Sequence, residues 1–165
     1  MTAAATPAQA PVIVERTYRA TVEELWALWT TKDGFESWWG PEGFRVEVHA
    51  LEARPGGALV YDMIADAPEA IAAMQAMGQP LSHSTRGRYA EYQPHARLTL
   101  VHVIDFIPGS EPYDSTIEVT FAAVGDQARM VVTIQPHRDP HWTAMASQGF
   151  ASQLTKLDRR YAAAG

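Results

Sequence analysis

The chain has 165 residues, a formal net charge of −6 and no cysteine. That length suits one domain of ordinary size. The missing cysteines exclude a disulfide framework, a thiolate zinc site and a cysteine nucleophile, and the acidic balance without any Lys/Arg run opposes binding to nucleic acid or anionic lipid heads. Hydrophobic residues at 47%, five tryptophans among them, predict a folded core.

Residues 1–11, MTAAATPAQAP, lack the basic opening and continuous apolar run of a secretory signal. They read as a loose tail ahead of a single domain over residues 12–163. Nowhere does an apolar run reach the roughly 18 residues of a membrane span, so no integral membrane contact is expected. A cytoplasmic location is the corresponding expectation, consistent with the absence of cysteine.

Val12–Tyr18, rich in β-branched residues, reads as a first strand. Thr21 with Glu24 makes a capping box, after which Val22, Leu25, Trp26 and Trp29 share one helical face. Asp33 with Glu36 repeats the pattern and predicts a second short helix carrying Phe35, Trp38 and Trp39, stopped by Gly40-Pro41. From Phe44 the period becomes two: Phe44, Val46 and Val48 form one set, and Leu59, Tyr61 and Met63 another after the Pro55-Gly56-Gly57 turn. Asp66-Ala67-Pro68 then opens a helical insertion with Ile71, Met74 and Met77 near one face, ended by Gly78-Gln79-Pro80 and read as a lid. Strands follow at Gly87–Tyr92, Arg97–Phe106, Ser115–Ala123 and Arg129–Gln135. The turns at Pro94, Pro108-Gly109 and Gly125-Asp126 are short enough for an antiparallel meander. Asp139-Pro140 supplies the start of a last, long helix to about Tyr161, with an inner stripe of Ala146, Gly149, Phe150, Gln153, Leu154, Leu157 and Tyr161.

This order of elements predicts an α+β helix-grip fold: a curved antiparallel sheet of six or seven strands gripping a long C-terminal helix, with two short helices after the first strand. The chain resembles the START-like SRPBCC superfamily, in the branch similar to the activator of the 90-kDa heat-shock protein ATPase. The matching residues are Arg16, Tyr18, Trp26, Trp38-Trp39-Gly40-Pro41, Arg54-Pro55-Gly56-Gly57, Gly87 through Glu91, Arg97-Leu98, Gly149-Phe150, Leu154 and Leu157. Phe150 stands where the family usually has tryptophan, and the Asp66–Pro80 insertion lengthens one connection. The resemblance implies a cavity between sheet and long helix that related families use for lipids, sterols, hormones or polyketides.

Strict alternation with Leu98, Leu100 and Ile104 turns His102 inward, and Gln153 interrupts the apolar stripe of the last helix. Each must find a hydrogen bond, either as a satisfied core residue or from a ligand. Gly149 in mid-helix costs about 1 kcal/mol relative to alanine and therefore marks a pocket or the close approach of a bulky neighbour. The tryptophans read most simply as core. His137 and His141, four apart, straddle a helix boundary and lack a third ligand, so no metal is expected.

Three function classes follow. The first is binding of a small hydrophobic or amphipathic molecule, lined by Tyr61, Met63, Tyr89, His102, Ile117, Met130, Phe150 and Gln153. The second is an enzyme of cyclase, hydrolase or dehydratase type with His102 as general acid/base. Alternation puts Asp105 on the opposite face, and no catalytic motif is present. The third is a chaperone-ATPase co-regulator, which the family's name suggests, although this chain has a loose tail where the named activators carry a further domain. No cofactor is called for, and a homodimer is allowed but not indicated.

Overall fold

The computed structural model describes residues 10–105, 111–137 and 140–162. Most of the expected tail, Phe106, the Pro108-Gly109 turn and the Asp139 cap lie outside these residues. Within them are seven strands and four helices: β1 (Val12–Tyr18), α1 (Val22–Thr30), α2 (Lys32–Glu36), β2 (Phe44–Leu51), β3 (Ala58–Ala65), α3 (Pro68–Ala76), β4 (Ser82–Gln93), β5 (Arg97–Ile104), β6 (Tyr113–Val124), β7 (Gln127–Ile134) and α4 (Pro140–Ala162). One antiparallel sheet runs in the order β1-β7-β6-β5-β4-β3-β2. The meander predicted from short turns is therefore β2 to β7, and β1 extends it by pairing with the last strand.

Local chemistry accounts for the helix starts, with two corrections. Thr21 caps α1 as expected, its hydroxyl accepting from Glu24 N at 3.0 Å. The second cap is Thr31 rather than Asp33: its extended backbone ends α1, and its hydroxyl accepts from Gly34 N at 3.0 Å. As a result α2 finishes at Glu36, and Trp38 and Trp39 lie beyond the helix instead of on it. The insertion is helical, but Asp66 does not cap it. Its carboxylate lies 3.5 Å from Arg45, while Asp66 N and Ala67 N donate to Gly43 O. Pro68 at the first turn, with its φ already set for helix, starts α3, which buries no residue.

The core lies between the sheet's inner face and the buried sides of α1, α2 and the second half of α4. Leu25, Trp29, Phe35, Leu59, Leu98, Leu100, Val119, Met130, Leu154 and Leu157 are all buried in one cluster. Two sets of polar contacts lock α4 in place. Near its C-terminus, Tyr18 OH donates to Asp158 at 2.6 Å and Arg16 Nε reaches the same carboxylate at 3.2 Å, so burial and this anion push the phenol's pKa up. One turn earlier, the segment after the tryptophans is clamped along its length. Gly40 N donates to Gln153 Oε1 (3.0 Å), Glu42 N donates to Ser152 Oγ (2.9 Å), and Lys156 Nζ donates to Gly40 O (2.8 Å) and Phe44 O (3.1 Å). The Trp38–Pro41 motif is thus a loop wedged under α4, and the Arg54–Gly57 motif is a turn tied to β4 through Gly56 N to Tyr89 O and Tyr89 N to Gly57 O.

Burial changes along α4. Every residue from 140 to 149 keeps some exposure, whereas Phe150, Gln153, Leu154 and Leu157 are buried. The second half of the helix is sealed into the core, whereas the inward residues of its first half, such as Trp142, Ala146 and Gly149, are half-buried. Gly149 sits at that transition, and a Cβ built on it meets no atom within 4 Å. No bulky neighbour approaches there, so close packing does not explain this glycine. Gly149→Ala is therefore expected to stabilise the fold by about 0.5–1 kcal/mol, the helix-propensity difference with no steric penalty. Urea unfolding of the two proteins measures it, and destabilisation would show that the space is not free.

Candidate functional site

The sequence-predicted lining comes from the inner face of β3 to β7 and from α4. Tyr61, Tyr89, His102, Met130, Phe150 and Gln153 are all buried, whereas Met63 and Ile117 are half-buried and pack against the rim of the cluster. Six of the eight candidates thus form the closed floor, and two border the more open part of the sheet. The floor itself is filled by side chains. Two surface clefts, of about 370 and 510 Å3, lie elsewhere, at the outer edge of β2 beside α2, and none of the eight candidates lines them.

His102 turns inward as alternation required and is 7% exposed. Its Nε2 lies 3.0 Å from Tyr61 OH, which in turn accepts from Trp39 Nε1 at 3.0 Å. An indole N–H can only donate, so Tyr61 OH accepts there; we assign the phenol hydrogen to His102 Nε2 and the imidazole proton to Nδ1. The imidazole also stacks on Trp39 at a centroid distance of 6.0 Å. Opposite it across the β4–β5 pair stands Gly87, where a Cβ would fall 2.4 Å from Val101 O, so this close approach admits only glycine. Burial in this apolar setting pushes the His102 pKa down to about 4 and the Tyr61 phenol up. A neutral, enclosed imidazole with so low a pKa is a weak proton acceptor near neutrality, which argues against His102 as a general base. Asp105 is exposed and lies 3.3 Å from Arg86.

Gln153 is also buried, and its two ends differ. Oε1 accepts from Gly40 N, while Nε2 has no acceptor among the described residues. Because Gly40 N can only donate, the amide cannot be flipped, and the unpaired atom is Nε2. Trp29 Nε1 is a second buried donor without a partner among the described residues, in a ring 6.3 Å from Phe150.

Under the first half of α4 the inner face is polar and half-buried. Ser115 pairs with His102 across β5–β6, and Tyr113 with Ile104. Tyr113 OH lies 2.5 Å from His137 Nδ1 and Ser115 Oγ 3.4 Å from His137 Nε2, while His137 N donates to Thr143 Oγ1 at 2.8 Å. Burial pushes the His137 pKa down. Sequence reasoning missed this group. His137 was weighed only with His141, which is exposed on α4 against Trp142. The signal available was the alternation of Ser115 with Ile117 and Val119, which already pointed Ser115 inward. Across the sheet, Thr85 pairs with Tyr61 and His83 with Met63, on the same face. No described helix is long and apolar enough to cross a membrane.

Solved structures share this arrangement. A protein of Chromobacterium violaceum superposes with a TM-score of 0.70 at 21% identity, over 93% of this chain and 98% of that one. An AHSA1 protein of Silicibacter pomeroyi gives 0.70 at 19% identity, over 92% and 96%, and one from Mycobacterium smegmatis gives 0.69 at 16%, over 94% and 93%. These likenesses show the helix-grip fold. No curated protein matches the chain. The family model described as Activator of Hsp90 ATPase homolog 1-like protein matches residues 19–162, which spans the clamped tryptophan loop, the whole meander from β2 and the long helix, and the chain belongs to that family.

Proposed function

We propose that the protein binds a small apolar or amphipathic molecule in the wedge between the first half of α4 and the inner face of β3 to β6. The observation that carries this is the change of burial along α4: its second half is sealed on the sheet, and its first half, Pro140 to Gly149, keeps exposure over a half-buried inner face. Met63 and Ile117 give that face apolar surface, while Thr85, Tyr113 and Ser115 supply uncharged hydrogen-bonding groups, the mixture typical of small-molecule sites. Tyr61, Tyr89, His102, Met130, Phe150 and Gln153 form the floor against which the molecule rests. The family's fold, which commonly holds hydrophobic ligands, supports the same reading.

A fluorescence titration with N-phenyl-1-naphthylamine tests it. Saturable one-to-one binding is expected, weakened about tenfold by Ala146→Trp, which fills the wedge from the helix side, with little change in unfolding midpoint. No saturable binding, or binding unaffected by Ala146→Trp, overturns the proposal.

A further inference from the structure

The narrow end of the wedge holds an unanswered pair of hydrogens. Gln153 is 4% exposed, and its Nε2 has no acceptor among the described residues, although its Oε1 is fixed by Gly40 N. A buried amide left half-paired costs about 1–3 kcal/mol, so its persistence calls for a use. One turn earlier on the same face lies Gly149, where a side chain would meet only open space. Side chains on a helix lean toward its N-terminus, so Gln153 reaches back over the position that Gly149 leaves bare. The open position at Gly149 and the unpaired, solvent-shielded donor thus lie one turn apart on the same helix face.

We propose that this place is the seat of a neutral carbonyl group on the bound molecule: its oxygen accepts from Gln153 Nε2, and its apolar body lies in the wedge. The inference rests on the wedge being a binding site and adds what it recognises. A donor without an acceptor selects an acceptor-bearing ligand, and a carbonyl oxygen, with two lone pairs and no hydrogen, fits where a hydrocarbon leaves the penalty in place. Neutrality follows from the surroundings. The cation on this flank, Lys156, is directed to Gly40 O and Phe44 O, and Arg16 to Asp158. A carboxylate would enter without a free counter-charge. Trp29 Nε1, in a buried ring 6.3 Å from Phe150, is a second donor without an acceptor among the described residues.

Three probes of one shape separate the outcomes: 2-acetylnaphthalene, 2-ethylnaphthalene and 2-naphthoate, titrated against the whole protein. The wild type is expected to prefer the ketone to the hydrocarbon about tenfold, the ratio for one hydrogen bond to an otherwise unpaired donor. Gln153→Met should bring that ratio to about one, with 2-ethylnaphthalene as the internal reference for whatever loss of the Gly40 contact does to affinity for both probes. Gly149→Leu, which leaves every Gln153 contact in place, should weaken all three. In case Gln153→Met does not fold, ketone labelled with carbon-13 at the carbonyl reads the same bond in the wild type, as a downfield shift from its value in apolar solvent. An unshifted resonance overturns the seat. So does a wild type that binds ketone and hydrocarbon equally, and in both cases the wedge stands. Naphthoate bound more tightly than the ketone overturns the neutral carbonyl. Failure of every probe to bind overturns the wedge itself.

Discussion

Acidification from pH 6.5 to 4 is expected to remove about 3 kcal/mol of folding stability through His102 alone. Burial holds its pKa near 4 in the folded chain, against 6.5 when exposed. Between those values the unfolded chain takes up a proton that the folded chain refuses, so stability falls as pH falls through this window and is level above it. The structural reason is burial: protonation puts a charge into an aromatic nest of Trp39, Tyr61 and Phe35, and with the imidazole proton assigned to Nδ1 it also removes the acceptor that Tyr61 OH uses. His137, also pushed down by burial, adds a slope of the same sign. Glu42 and Glu52, held below their usual 4.5 by Arg159 and by the Ala58 N–H respectively, lose their contributions only at lower pH. Urea unfolding at pH 6.5 and pH 4 measures the difference. His102→Leu should be less stable at pH 7, by about 1–3 kcal/mol for the stranded phenol, yet show a much flatter acid slope. An unchanged slope would assign the acid sensitivity elsewhere.

Trp38→Ala is expected to cost about 3–5 kcal/mol, a large share of the stability of a domain this size. The indole is 1% exposed, touches Trp29, Trp39 and Phe150, and donates through Nε1 to Leu28 O at 2.8 Å. Its removal opens a cavity between α1 and the second half of α4, strands a carbonyl of α1, and loosens the loop on which the Gly40–Gln153 and Lys156 contacts depend. Thermal and urea unfolding read the effect. Trp38→Phe, which keeps most of the volume and loses the hydrogen bond, should fall between alanine and wild type, and a loss below about 1 kcal/mol for alanine would show that the indole is not wedged as described.

Most strands, the inward turn of His102 and Gln153 and the outline of the family were readable because they rest on short-range rules. Alternation fixes which face a strand residue occupies, and proline and glycine punctuate the chain. Where those rules lacked input the reading stopped short. β4 begins at Ser82, five residues before Gly87, because Ser82 to Arg86 carries no large apolar residue to mark a period, and its inward positions, His83 and Thr85, are half-buried opposite Met63 and Tyr61 rather than in the core. The start of α2 moved to Thr31 because one extended residue serves two helices at once. What pairs with what was decided only by the fold. His102 meets Tyr61 across 41 residues, Gln153 meets Gly40 across 113, and Arg16 meets Asp158 across 142. No local pattern encodes such distances, so the chain by itself could say that His102 and Gln153 would be buried and would need partners. The tertiary structure supplied one for the histidine and, among the described residues, left Nε2 of the buried glutamine without an acceptor.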